Sequence, residues 1–522
     1  MRCGGRELFL SGNKKGIVIF RKTCIIYNEA ICERKICLSY ENVKLTQYKE
    51  FLDGKTASVI GVGISNIPLI EFLLGNNVKV TARDMKSFEE LCQINSKVED
   101  LKKAGVNFVL GENYLSDIKE DIVYKSPGIR CDKEEIVKAV ENGSLITSEM
   151  EAFLSLCPSK IIAVTGSDGK TTTTTLIAKI LEAAGKKVWL GGNIGRPLLS
   201  EIEKIAPDDF TVLELSSFQL HTVNKFENEG LPFAKIEFPD VAVVTNVSPN
   251  HLNWHTDMDE YTESKKAVFT YIKEGGVLVT NTGNDITSNF GTEAKLSGVK
   301  TRMFSVKNTS GNLHMMGDTI YYGMKPILEA SDILLPGKHN IENYMAAIGA
   351  TYDFVTPEDV KKVATTFGGV EHRLEYVRTV KGVKYYNGSI DSSPARTMAA
   401  LSAFGSEYKA KIVLILGGKD KNLDFTELAS VICDKVKAVF ISHDTEEKKV
   451  YNTIINDENY NEEKTHVEIC EGFDDAFAHA SSYATDGDIV LLSPAMTSFD
   501  EFLNFEMRGK RFKNLVANLR EE

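Results

Sequence analysis

From about Val43 onward, short apolar runs alternate with stretches in which apolar residues recur every three or four positions. The short runs predict buried strands, and the three-to-four spacing predicts helices with one buried face. A short helix is expected at 45–51, then a strand at 57–62, a helix near 68–74, a strand at 78–82, a helix near 89–104, and strands at 106–110 and 121–124. A second region opens at Lys160, with strands at 161–165, 188–190, 211–215 and 241–246. A third follows Gly368-Gly369, with strands near 383–386, 412–416, 439–442 and 489–493. Such alternation implies an α/β fold of mostly parallel sheets covered by helices. The acidic, polar segment 443–475 is expected to be a solvated helical face.

The 522 residues exceed one domain and suggest about three or four. Lys and Arg number 61 against 73 Asp and Glu, a net charge of -12. A dedicated nucleic-acid binder needs a basic surface, so no nucleic-acid partner is expected; a small nucleotide held by backbone amides and one lysine remains open. No apolar run approaches the roughly 20 residues that span a bilayer, and the run 17–20 is too short for a signal peptide's core. The nine cysteines include no C-x-x-C pair, which reads as a reduced, cytoplasmic chain without membrane insertion. Cys3, Cys24, Cys32 and Cys37 crowd into an N-terminal stretch of weak periodicity. Residues 1–44 therefore read as an extension, either a disordered tail or a mis-started segment, with a metal-binding tail the lesser alternative.

The strongest chemical signal is the apolar strand ending in Thr165-Gly166-Ser167-Asp168-Gly169-Lys170-Thr171-Thr172, followed by a helical pattern at Leu176, Ile177, Ile180, Leu181 and Ala184. Gly166 and Gly169 let backbone amides face phosphate oxygens, and the helix N-terminus adds partial positive charge. Lys170 can reach a terminal phosphate and Thr171 can ligate Mg²⁺. A strict P-loop would need glycine at Val164. Gly61-Val-Gly63-Ile64-Ser65-Asn66, with Asp84 ending the next strand, is a weaker nucleotide-binding signal with a plain tight turn as its rival. Glu214 ends a buried apolar strand, where a carboxylate needs a partner or a metal; a helix cap at Ser216 or Ser217 is the alternative. His251 and His255 stand four apart, but Pro249 interrupts the run and no cysteine lies near, against zinc. His251 reads as a metal or phosphate contact and His255 as a surface residue.

Together these pieces resemble the Mur ligases. The resemblance covers about residues 45–522 and rests on seven ordered motifs: the glycine loop, Gly191-Gly-Asn193-Ile-Gly195, Glu214-Leu-Ser-Ser-Phe-Gln219, Asn250-His251-Leu252, Leu335-Pro-Gly-Lys-His339-Asn340-Ile-Glu-Asn343, Glu371-His372-Arg373-Leu-Glu375 and Leu492-Ser-Pro-Ala-Met-Thr-Ser498-Phe-Asp500. It implies three domains: a Rossmann-like UDP-precursor domain at 45–148, a central P-loop-type ATPase domain at 149–369, and a Rossmann-like amino-acid-binding domain at 370–522. The implied activity is ATP-driven joining of D-glutamate to UDP-N-acetylmuramoyl-L-alanine through an acyl phosphate, by a monomer.

The resemblance also implies residue roles. Gly166, Ser167, Asp168, Gly169, Lys170, Thr171, Thr172, Asn343 and Arg373 would surround ATP. Thr171 and Glu214 would hold one Mg²⁺, and His251 with a carbamylated Lys265 a second; Lys266 is the alternative lysine. Asn193 would help hold the substrate. Ile64, Ser65, Asn66, Asp84, Ser126 and Gly128 would contact the UDP precursor, and Lys421, Ser392, Ser498 and Phe505 D-glutamate. One departure stands out. In Asn387-Gly388-Ser389-Ile-Asp391 the family's nucleotide-contacting aspartate is replaced by Gly388, with Asp391 three residues on. That leaves open a catalytically impaired, nucleotide-sugar-binding paralogue. A sister ligase or folylpolyglutamate synthase adding another amino acid is the other alternative.

Overall fold

The computed structural model describes residues 15–20, 23–28, 40–63, 65–226, 230–232, 235–307, 311–405 and 408–520. The chain divides into two units, 1–43 and 44–522. In the first, strands Lys15–Phe20 and Thr23–Asn28 pair antiparallel; the rest of the expectation for the N-terminal extension lies outside the described residues.

Three sheets follow one another in the second unit. The first is five-stranded and parallel, in the spatial order Asn107–Leu110, Lys79–Asp84, Thr56–Ile60, Ile122–Tyr124, Leu145–Thr147. The second has nine strands. Seven of them, Val188–Gly192, Phe210–Glu214, Lys160–Thr165, Val241–Val244, Val277–Asn281, Lys300–Ser305 and Leu313–Met316, are parallel, and Thr319–Tyr322 and Lys325–Glu329 add two antiparallel pairings at the edge. The third is ordered Glu375–Val380, Val383–Asn387, Ile489–Leu492, Ile412–Leu416, Val436–Ile441, His466–Ile469, with its first pair antiparallel and the others parallel. Helices cover both faces of the central strand Lys160–Thr165. Ile162 and Val164 join the core beneath Leu176, Ile177, Ile180 and Leu181, while Ile161 and Ala163 join the opposite one. Burial on both faces is why this strand reads as a continuous apolar run. Among the described residues no helix is long and apolar enough to cross a membrane.

Two expectations fail locally. The helix expected near 89–104 is two helices, Phe88–Ile94 and Lys97–Lys103. Asn95 turns extended between them and its side chain accepts from the Lys97 N–H at 3.1 Å, a local bond that competes with the helix ladder. The polar segment 443–475 is mostly turns around one short helix, Lys449–Ile455, and the strand His466–Ile469. There Asp444 accepts from the amides of Thr445, Val450 and Tyr451, so part of its acidity serves loop and helix-end capping rather than one helical face.

Candidate active site

Ligands of open parallel sheets bind beyond the carboxyl ends of the strands. In the second sheet those ends are the loop 166–169, Glu214 and the segment 245–255. The loop leads into helix Lys170–Ala183. Gly169 takes φ = 75°, and a Cβ there would collide with Asn343 Oδ1; at Gly166 it would collide with Thr245 Oγ1. Only glycine fits both. Neighbours hold the loop in place. The amides of Ser167 and Asp168 donate to Asn246 Oδ1 at 3.2 and 2.8 Å. Ser167 Oγ meets the Tyr261 hydroxyl at 2.8 Å, and Thr245 Oγ1 donates to the Asp168 carbonyl at 2.6 Å. Asn343 is braced by Asn340, at 3.0 Å, and accepts from Thr173 Oγ1 at 3.2 Å. Thr171 and Thr172 lie half-buried in the helix's first turn, whose amides have no acceptor within the helix.

Charge gathers on this loop from two sides. Lys170 Nζ donates to the Gly166 and Ser167 carbonyls at 3.0 and 2.9 Å. Lys265, on helix Met258–Thr270, donates to the same Gly166 carbonyl at 2.7 Å and is 1% exposed. Burial, then the charge of Lys170, push the Lys265 ammonium down to about 7. Lys266 instead faces outward to Glu293, at 2.5 Å, and Glu263. Glu214 is buried; its Oε1 accepts from Asn193 Nδ2 at 2.8 Å, and its Oε2 has no hydrogen-bond partner. A buried carboxylate oxygen left unpaired beside a phosphate-type loop is costly without a cation, so this donor set suits Mg²⁺. His251, exposed at φ = 57°, packs on the Phe218 ring at 4.8 Å. Burial, Lys170 and Lys265 lower its basicity, which favours the neutral, ligating ring.

His255 is not a surface residue. It is 2% exposed, its Nε2 lies 3.0 Å from Ser217 Oγ, and Phe218, His221, Trp254 and Tyr261 enclose it. Burial holds it at about 4, hence neutral. The two histidines share a single hydrogen-bonded turn before the helix, His255 N–H to the His251 carbonyl at 3.0 Å, and their spacing carries no sign of the aromatic wall that long-range packing builds.

Of the residues assigned to the UDP precursor, Ile64 lies outside the described residues. Ser65 is exposed just before helix Asn66–Gly75, and Asn66 Nδ2 donates to the Gly61 carbonyl at 2.8 Å. Asp84 accepts from the Val62 and Lys86 amides at 2.8 and 3.0 Å, so its carboxylate shapes the glycine turn itself. Ser126 adjoins that turn: a Cβ at Gly61 would lie 3.1 Å from the Ser126 Cβ. The Gly128 carbonyl accepts from Trp254 Nε1 at 2.9 Å, tying the loop to the second sheet.

On the third sheet, Ser498 is buried, Ser392 and Phe505 are half-buried, and Lys421 is exposed. The Phe505 ring meets His372 edge-on at 6.1 Å. Exposed Arg373 adds its charge near both Lys170 and Asp391. Asp391 sits over the departure at Gly388: a Cβ built there would lie 2.6 Å from Asp391 Oδ2 and 2.7 Å from the Leu492 carbonyl oxygen. The carboxylate thus occupies the space that a side chain at 388 would enter, fixed by Ser493 Oγ at 2.9 Å. Burial pushes it up to about 6.

Two groups escaped the sequence reading. Arg508, 2% exposed, donates to the carbonyls of Ser389 and Met496 at 3.0 and 3.1 Å and to Ser389 Oγ at 3.2 Å, joining two loops of the third sheet. Arg130 grips Glu260 through two bonds, of 3.0 and 2.9 Å, and donates to the Trp254 carbonyl at 2.8 Å. The Arg130 bonds hold the Glu260 carboxyl well below its usual range. A basic residue inside a helical pattern, or just after Ser-Pro-Gly, is the only sequence signal either offers.

Comparison with known proteins agrees with this layout. Residues 164–351 match the model of the Mur ligase middle domain, and residues 372–496 that of the Mur ligase glutamate ligase domain. The chain is 46% identical to the UDP-N-acetylmuramoylalanine--D-glutamate ligase of Clostridium perfringens over 91% of its length and 99% of that protein's. It is 45% identical to the enzyme of that name from Acetivibrio thermocellus, over 92% of this chain and 99% of the other. Among solved structures, a UDP-N-acetylmuramoyl-L-alanyl-D-glutamate--2,6-diaminopimelate ligase shares the fold with a TM-score of 0.53 at 15% identity, over 85% of this chain and 93% of that one. The UDP-N-acetylmuramate-alanine ligase of Thermotoga maritima does so with 0.50 at 17%, over 89% and 99%.

Proposed function

The chain belongs to the Mur ligase family, and we propose that it joins D-glutamate to UDP-N-acetylmuramoyl-L-alanine at the expense of ATP, in peptidoglycan precursor synthesis. We assign the UDP precursor to 45–148, ATP to 149–369 and D-glutamate to 370–522, in a cytoplasmic monomer. The observation that carries the reading is Glu214 Oε2, a buried oxygen without a partner beside two lysines on a glycine loop.

A carboxylate becomes an electrophile only when one of its oxygens turns into a good leaving group. The precursor's carboxylate attacks the γ-phosphorus of ATP, ADP departs, and an acyl phosphate forms. The D-glutamate amine then attacks the acyl carbon, loses a proton, and inorganic phosphate leaves. Each step brings anions together, so fixed positive charge is the main catalytic need. Lys170 neutralises the transferred phosphoryl group. Asn193 fixes Glu214 and borders the substrate. Thr171 and Glu214 would hold one Mg²⁺, and His251 and a carbamate on Lys265 a second; bound Mg²⁺ supplies positive charge to phosphate oxygens. Carbamate formation needs a neutral amine, and the burial of Lys265 provides one. Asp391 stands in for a side chain at 388 towards the nucleotide. Lys421, Ser392, Ser498 and Phe505 border D-glutamate, where a cation and hydroxyls suit a dicarboxylate.

The test is a product assay with ATP, Mg²⁺, UDP-N-acetylmuramoyl-L-alanine and a panel of D-glutamate, L-alanine, L-lysine and meso-diaminopimelate. Phosphate release that depends on D-glutamate is expected. Preference for another amino acid would overturn the substrate, and no release with any of them would leave a binder only.

A further inference from the structure

At the far edge of the third sheet, strand His466–Ile469 places His466, Glu468 and, one residue beyond, Cys470 at alternate positions. Alternate positions share one face of a strand. Helix Phe473–Tyr483 carries Asp475 and His479 one turn apart. We propose that Glu468, Cys470 and His479 form a zinc site separate from the catalytic centre. Their ligand atoms all lie within 4.8 Å of one another.

The neighbours of these three residues argue for more than a surface ion pair. His479 Nδ1 lies 2.7 Å from Glu468 Oε1, and its other nitrogen, Nε2, lies 3.5 Å from Asp475 Oδ1. His466 Nε2 holds the second oxygen, Glu468 Oε2, at 3.1 Å. Glu468 and His479 thus each have one ligand atom within the cluster and a second atom held by an outer neighbour, His466 and Asp475 respectively. Metal-binding histidines and carboxylates are oriented in this way. Phe440 walls the cluster, 5.7 Å from His466 and 6.2 Å from His479, and Tyr483 stacks on His466 at 5.3 Å. One thiolate, one carboxylate and one neutral imidazole balance a dication. The mix of sulfur, nitrogen and oxygen suits zinc rather than Mg²⁺, which prefers oxygen alone. Three protein ligands leave a fourth position to water. On binding, the Cys470 thiol releases its proton to solvent, and the Glu468–His479 hydrogen bond gives way to two metal bonds. The ion would staple an edge strand to the helix packed across it.

The test uses the full chain, stripped with a chelator and titrated with Co²⁺ alone, then with Zn²⁺. One equivalent of Co²⁺ should give a thiolate-to-cobalt charge-transfer band, which Zn²⁺ abolishes. Cys470→Ser should lose the band, His479→Ala should weaken binding at least tenfold, and Asp475→Asn by about tenfold as an outer partner. Other cysteines could bind cobalt, so a band that persists in Cys470→Ser overturns the proposal, as does the absence of any band in the unsubstituted chain. Thermal melts provide the folding control: Zn²⁺ should raise the transition of the unsubstituted chain and leave that of Cys470→Ser unmoved. Should Cys470→Ser fail to fold, Glu468→Gln keeps the thiol and must still lose affinity at least tenfold. D-glutamate ligation should be unchanged in every variant.

Discussion

At the level of single residues, the site turns on two side chains buried against their own charge. Lys265 is 1% exposed and shares a carbonyl with Lys170. An ammonium there repels any bound dication, whereas a carbamate reverses its sign. Lys265→Ala should lower turnover by roughly a hundredfold, the order expected for one electrostatic group. A short added carboxylate should restore part of it, while Lys266→Ala stays near the unsubstituted rate. Steady-state phosphate release checks this, and a dead Lys266→Ala would move the role by one residue. Asp391 poses a sharper question, because its carboxylate fills the space above Gly388. Asp391→Ala should raise the KM for ATP by about tenfold to a hundredfold, the cost of losing a hydrogen bond to a charged group. Adding Gly388→Asp to that variant should bring the KM part of the way back, since the Leu492 carbonyl, 2.7 Å from a Cβ at 388, still crowds the new side chain. If the double variant is no better than the single one, the two positions do not share a role.

At the level of elements, helix Met258–Thr270 links a loop of the first sheet to the glycine loop of the second. Glu260 in its first turn is gripped by Arg130 from the first sheet, and Tyr261 and Lys265 on its inner side hold Ser167 and Gly166. Arg130→Ala removes a two-bond grip and leaves the helix start to thermal motion. Turnover should fall about tenfold, with the Kd for ATP unchanged because the glycine loop keeps its own supports, and Arg130→Lys should recover only part since it cannot form the paired geometry. Calorimetry with ATP beside steady-state rates checks the split; a matching loss of ATP affinity would point to a wider collapse. The contrast between loop and clamp also shows what the sequence could reveal. The glycine loop was legible because strand, turn and helix signals lie within about a dozen residues of one another, and Glu214 because a carboxylate ending an apolar strand is conspicuous. The burial of His255, the loop-joining role of Arg508 and the Arg130–Glu260 grip come from partners far away in sequence. The edge strands at 313–329 and the strand Glu375–Val380 were missed because edge strands of mixed burial lack the unbroken apolar run of central ones.

Across the whole molecule, one apolar core runs from the first sheet into the second, including Leu52 and Val59 on one side and Ile161 and Leu213 on the other, while the third sheet has cores of its own. The helix Glu149–Leu156 lies within that shared core, and all eight of its residues are buried. Two of them are acids. Glu149 accepts from the Leu199 amide at 3.4 Å, and Glu151 from Ser148 Oγ and the Asn224 amide at 3.1 and 3.2 Å. Burial pushes both up to about 7 from an ordinary 4.5. The sign of the linkage follows from proton counts. Below about pH 4.5 both states hold the protons and these acids contribute no pH dependence. Between about 4.5 and 7 the unfolded chain releases them while the native chain keeps them, so stability falls as pH rises. Above about 7 both states are ionised and the penalty is complete, of the order of 3 kcal/mol per acid at most. Glu149→Gln and Glu151→Gln keep an acceptor oxygen and remove the titration. Each should melt higher than the unsubstituted chain at pH 8 and close to it at pH 5, by roughly 1–2 °C per kcal/mol relieved for an unfolding unit of this size. Melting curves across that range decide the matter: an offset equal at both ends would mean that the acids act through packing, and a lower transition at pH 8 would mean that their charge is stabilised in the native core.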